Sequence, residues 1–173
     1  MRFRTSSPHP APPLYTPEQR ARRDRTPWTL VQGILAPIQF LAFAASLALV
    51  FRTLWSGEGA MAAHVSIVVK TLLLYAIMVT GAIWEKRVFG RYLFAPAFYW
   101  EDMFSMLVLA LHTAYLGALF TGALGTRGQL WLALAAYATY VVNAGQFILK
   151  LRAARRGEQR TGVPATAVAE GAA

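Results

Sequence analysis

Four apolar runs, each close to the length of a bilayer crossing, constrain this chain more than any other feature. Leu30–Phe51, Ala62–Trp84, Met103–Leu124 and Leu130–Leu149 approach the ~20 residues an α-helix needs to cross a hydrocarbon core of roughly 30 Å. A soluble bundle requires a polar stripe on every helix, and stretches such as ALALVF and SMLVLAL leave no room for one. With 56% apolar residues among 173, the chain is too hydrophobic for a water-soluble domain of this size. The expected fold is all-α, an integral membrane four-helix bundle.

The distribution of charge sets the expected topology. Arg2, Arg4, Arg20, Arg22, Arg23 and Arg25 precede the first run, Lys86, Arg87 and Arg91 separate the second from the third, and Lys150, Arg152, Arg155, Arg156 and Arg160 follow the fourth. The other two loops hold only Arg52 and Arg127. By the positive-inside rule both termini and the central segment are cytoplasmic, which only an even number of spans permits. No short apolar stretch with a small-residue cleavage site opens the chain, so the first span is expected as an uncleaved helix. The net charge of +9 suits anionic lipid headgroups, and no aromatic-basic module points to nucleic acid. Cysteine is absent, which removes disulfides, thiolate metal sites and thiol redox chemistry.

Residues 1–13 hold four prolines and are expected to be a disordered tail. Residues 14–28 form a basic interfacial segment, in which Thr16-Pro17-Glu18-Gln19 has the pattern of a capped helix start. The four-span domain is expected over 29–156, and 157–173 as a second tail. Gly57, Gly59, Gly125 and Gly128 mark two tight turns that force antiparallel neighbours.

Against this background the polar residues near the spans stand out. Ile83 to Asp102 sets Glu85, Glu101 and Asp102 among Phe89, Tyr92, Phe94, Phe98, Tyr99 and Trp100. Acids beside hydrocarbon are costly to charge and invite a functional reason. Such a segment suits a flat aromatic ligand that stacks on the rings and presents an edge to the acids. Lys70 and His112 lie deep in the second and third runs. A buried lysine either snorkels or holds an anion, and a buried histidine either hydrogen-bonds a neighbouring helix or ligates a metal. Glu101, Ser105, Val108 and His112 fall at i, i+4, i+7 and i+11, so one helical face joins the acids to the imidazole.

The segments PWTLVQGILAPIQFL, SIVVKTLLLYAIMVTGAIWEK, VFGRYLFAPAFYWEDMFSMLVLALHTAYL and LAAYATYVVNAGQFILKLRAAR resemble the 3-vinyl bacteriochlorophyllide hydratase family of bacteriochlorophyll biosynthesis, over about Leu14 to Arg155. The resemblance implies a multi-pass enzyme of a bacterial inner (intracytoplasmic) membrane. It would be a hydro-lyase that adds water to the C3 vinyl group of a chlorophyllide-type tetrapyrrole to give a 1-hydroxyethyl group. No residue roles come with it. No cofactor and no protein-bound metal are expected, since the magnesium belongs to the substrate. Membrane lipid, other pigment-biosynthesis enzymes and a second copy of the chain are the expected partners.

Hydration needs an acid to protonate the terminal vinyl carbon, a base for the attacking water and a grip on the macrocycle. Glu101 or Asp102 is the expected proton donor, with the other or Glu85 activating water. His112 is a candidate axial ligand to the substrate magnesium, Lys70 or Arg91 a candidate partner of its propionate, and Tyr92, Phe98 and Trp100 candidate stacking surfaces. Two rival readings are a non-catalytic tetrapyrrole carrier or assembly factor and, with less support, a small transporter.

Overall fold

A computed structural model describes residues 14–161; the expected tail at 1–13, and the part of the second beyond 161, lie outside the described residues. Five helices follow one another: α1 (Pro17–Arg25), α2 (Pro27–Ser56), α3 (Ala60–Phe89), α4 (Tyr99–Thr121) and α5 (Thr126–Thr161). The last four are long and apolar enough to cross a membrane, and the chain has the organisation of a multi-pass membrane protein. Three of the expected spans sit inside longer helices. The third stops at Thr121, short of Leu124, because Gly122 takes a left-handed conformation (φ 65°) that ends α4. α5 instead runs through residue 157 into the expected tail, carried by the strong helix formers of Leu-Arg-Ala-Ala-Arg-Arg.

Tight turns make antiparallel neighbours of consecutive helices. Gly57 (φ 75°) closes α2 and Gly59 (φ 80°) opens α3, a pair of positive-φ positions that glycine adopts without steric cost. The resulting α2–α3 and α4–α5 hairpins close into a ring through α2–α5 and α3–α4 contacts.

Hydrogen bonds cross each of these four seams, as polar side chains in hydrocarbon require. Gln32 Nε2 donates to Thr80 Oγ1 (2.7 Å) and Ser46 meets Ser66 (2.8 Å) between α2 and α3. Ser46 also reaches the Tyr137 hydroxyl of α5 (2.6 Å). His64 meets Tyr115 (2.7 Å) and Tyr75 meets Thr113 (2.8 Å) between α3 and α4, and Asn143 of α5 donates to Ser105 of α4 (2.8 Å). Around these bonds lies an apolar core of Phe43, Val50, Ala63, Ile67, Tyr115, Leu130, Ala133 and Tyr137.

α1 is docked. Thr16 and Gln19 form the expected capping box, Tyr15 stacks on Phe89 (5.8 Å between centroids, 20° between planes), and the Thr29 hydroxyl donates to the Arg23 carbonyl (2.6 Å). A second cluster, Tyr15, Val88 and Phe98 with Trp84, Phe89 and Phe147, lies beneath it.

Packing predicts opposite outcomes for two adjacent alanines. Ala63 is fully buried in the core and Ala62 is exposed. Ala63→Leu is expected to cost about 1–3 kcal/mol and Ala62→Leu to be close to neutral, read from denaturation in micelles. Equal losses would contradict the assigned faces.

Candidate functional site

The nine residues from Gly90 to Phe98 join α3 to α4, and most of their backbone groups lie outside any helix. Two acids accept amides of this segment, and a third holds the lysine that meets one of its carbonyls. Phe94 N–H donates to Asp102 Oδ2 (2.7 Å) and Ala95 N–H to Glu85 Oε2 (3.2 Å). Lys150, from the far end of α5, donates both to Glu101 Oε2 (2.6 Å) and to the Ala97 carbonyl. Phe94 pays for this with a left-handed backbone (φ 59°), a strained state for a bulky residue.

The structure thus brings Glu85, Glu101 and Asp102 together from two helices, at 5%, 6% and 4% exposure. Glu85 and Asp102 are close enough to interact electrostatically, while Glu101 forms an ion pair with Lys150. One acid is salt-bridged and the other two form a carboxyl pair. That division of labour was not visible in the sequence, because it depends on the return of α5 to the connector. Lys150 at i+7 from Asn143 was the available signal, since both residues face α4.

The aromatic residues separate into two groups. Phe98 is buried (3%), stacks on Phe147 (5.9 Å, 22°) and has Lys150 Nζ 5.0 Å from its ring centre. Tyr92 and Trp100 are exposed, as is Tyr99, which meets Trp100 edge-on (5.7 Å). The outward group has exposed ring faces, whereas Phe98 packs beside the Lys150 ammonium that holds Glu101. Arg91 is exposed and its Nη1 reaches the Phe94 carbonyl (3.5 Å), directly beside the acids.

His112 and Lys70 stand apart from this cluster. His112 lies eleven residues beyond Glu101, or ~16 Å deeper at 1.5 Å per residue. Its Nδ1 donates to the Val108 carbonyl (2.7 Å), which leaves Nε2 to accept from Lys70 Nζ (2.6 Å). Lys70 Nζ also lies 4.2 Å from the Tyr140 ring centre and 5.2 Å from that of Tyr137. Both residues are completely buried. His112, a candidate axial ligand, and Lys70, a candidate propionate partner, thus hydrogen-bond each other inside the bundle, away from the acids. The face shared by Glu101, Ser105, Val108 and His112 is buried throughout, as its spacing required.

Sequence reasoning also missed a basic groove of about 400 Å³ lined by Arg22, Arg25, Thr26, Pro27, Trp28 and Arg87. The i, i+3 spacing of Arg22 and Arg25 placed them on one face; the docking of α1 on α3 that adds Arg87 had no local signal.

Residues 15–153 match the profile of the family described as 2-vinyl bacteriochlorophyllide hydratase (BCHF). The chain belongs to this family. The 2-vinyl bacteriochlorophyllide hydratase of Rhodobacter capsulatus is 72% identical over 142 residues, covering 82% of either chain. That of Cereibacter sphaeroides is 69% identical over 152 residues, 87% of this chain and 94% of its own. The family's name differs from the expected one only in the number given to the vinyl position. No solved structure matches. The region shared with the hydratase family runs from Tyr15 past Lys150, so it takes in α1, the connector and all three acids.

Removing an acceptor should free its amide specifically. Glu85→Ala is expected to raise hydrogen exchange at Ala95, and Asp102→Ala at Phe94, each by about tenfold or more, the scale of one lost hydrogen bond to a charged group. Unchanged exchange at both amides would contradict the connector geometry.

Proposed function

We infer that this chain adds water across the vinyl substituent of a bacteriochlorophyllide, the reaction for which its family and both relatives are named, and that the buried acids beneath the connector do the chemistry. The observation that carries the second part is the convergence of Glu85, Glu101 and Asp102 on one strained loop beside exposed aromatic rings.

Addition of water is redox-neutral, so its stoichiometry calls for proton transfer and no electron carrier. Two neighbouring buried carboxyl groups readily hold one proton between them, which makes Glu85–Asp102 the proton store. That pair delivers a proton to the terminal vinyl carbon. The cation left on the inner carbon is delocalised by the macrocycle. Water then attacks that carbon and gives its proton to Glu101, which the Lys150 ammonium keeps as an acceptor. The substrate gains one hydrogen and one hydroxyl, and the carboxyl set regains its proton through Glu101.

The substrate's flat ring rests on Tyr92, Tyr99 and Trp100, and Arg91 lies at its edge. Access to the acids requires Phe94 and Ala95 to lift, and the strained φ of Phe94 lowers the cost of that movement. The acid-bearing end faces the cytoplasm of a bacterial inner membrane, consistent with the arginines and lysines gathered there. Lipid surrounds the bundle, and a second copy or another enzyme of pigment synthesis would meet it on the lipid-facing surfaces.

Incubation with vinyl substrate tests the reading, because hydration removes the vinyl group from conjugation and shifts absorption to the blue. Glu85→Gln, Asp102→Asn and Glu101→Gln are each expected to slow that shift by about 10²–10⁴, whereas His112→Phe should leave the chemical step largely intact. Bound pigment with no shift in the wild type would favour a carrier, and full activity in all three acid variants would relocate the site.

A further inference from the structure

The groove at the α1–α2 corner has three arginines and no acid of its own. Arg22 and Arg25 come from α1 and Arg87 from the last turn of α3, and all three are exposed. Among the described residues, none of the three has a carboxylate within ion-pair distance. Of the acids on α1, Asp24 is taken by Arg23 (2.8 Å). Glu18 accepts from the Thr16 hydroxyl (2.9 Å) and attracts Arg22 only from one turn away.

Three guanidinium groups gathered around one groove repel one another, so the arrangement has to be held from outside. The docking of α1 does this. The capping box fixes its first turn. The Arg23 guanidinium lies 4.8 Å from the Tyr15 ring centre, and Tyr15 stacks on Phe89. Thr29 closes the other end, donating to the Arg23 carbonyl and accepting from Trp84 Nε1 (2.9 Å). A nine-residue helix is thereby locked against α3 with Arg22 and Arg25 lining the same groove as Arg87 and with half-buried Trp28 along it.

We propose that this groove binds the carboxylate of the chlorophyllide substrate, with Arg22, Arg25 and Arg87 as its hydrogen-bond donors and Trp28 as a stacking face for the adjoining edge of the macrocycle. The inference rests on the hydratase reading. Arginine's planar fork suits a carboxylate, and charge-assisted bonds of this kind are the strong ones. Arg87 belongs to the same turn of α3 as Glu85, so groove and acids are separated by about the width of one helix, ~10 Å. A macrocycle anchored by its carboxylate at the groove therefore has its far edge at the level of the acids. The same donors would suit a phospholipid phosphate, and the experiment separates the two.

The full chain in nanodiscs of phosphatidylcholine alone is offered the vinyl substrate as the free acid and as its methyl ester, with pigment binding and the blue shift read separately. The wild type is expected to bind the acid at least about tenfold more tightly than the ester. Arg22→Gln, Arg25→Gln and Arg87→Gln should each weaken binding of the acid, leave the ester unchanged and keep kcat within about twofold. Arg87→Lys should recover part of the preference, since charge survives and the fork does not. Equal binding of acid and ester by the wild type would overturn the proposal. So would arginine effects that appear only when phosphatidylglycerol is added, which would assign the groove to a lipid headgroup. Tight acid-selective binding without turnover would contradict the hydratase reading and leave the groove assignment standing.

Discussion

The structure depends on how the connector between α3 and α4 satisfies its backbone at the edge of a membrane. Buried N–H groups without partners are expensive, and here two of them are taken by the carboxyl groups of Asp102 and Glu85, with Lys150 joining the Ala97 carbonyl to Glu101. The same contacts close the bundle, because they tie α3, α4 and α5 at the end where the hairpins would otherwise be linked only by a loop. They also concentrate three acids where acids are costly. Structural need and chemical potential therefore fall on the same residues, which means that variants here must be judged by amide protection as well as by turnover.

Much of the scaffold was legible in the sequence. Run length located every long helix, Thr16 and Gln19 announced the capping box, and the i, i+4, i+7, i+11 spacing put Glu101 and His112 on one buried face. What could not be read was pairing across helices. For His112 and for Lys70 a partner inside the bundle and a ligand were both open; they are forty-two residues apart in sequence, and only packing of α3 against α4 shows that they hydrogen-bond each other. Phe98 and Trp100 likewise share a composition-rich segment, but the turn into α4 buries one and exposes the other. Helix ends that differ from the apolar runs have local causes: Gly122 ends α4, and the Ala- and Arg-rich stretch after Lys150 prolongs α5.

In physical terms the protein separates two kinds of polarity. Deep in the bundle, Ser46 hydrogen-bonds Tyr137 and Lys70 hydrogen-bonds His112, and all four are buried, as polar groups that hold helices together should be. At the connector end, carboxyl groups, arginines and exposed rings lie near the surface, where a flat amphipathic substrate can arrive from the headgroup region. Membership of the vinyl bacteriochlorophyllide hydratase family gives the chain a reaction, which we assign to that end, and the reaction needs a proton that can be stored close to hydrocarbon and returned after each cycle. In the mechanism proposed above, the Glu85–Asp102 pair stores that proton and Glu101, held by Lys150, accepts what the water releases.

The most direct measurement of this account is infrared difference spectroscopy of the carboxyl carbonyl stretch in the resting protein and on addition of vinyl substrate. A band from a protonated carboxyl group should be present in the wild type, respond to substrate, disappear in both Glu85→Gln and Asp102→Asn, and persist in Glu101→Gln. A band that survives in both of the first two variants, or that vanishes only in Glu101→Gln, would contradict a proton shared between Glu85 and Asp102.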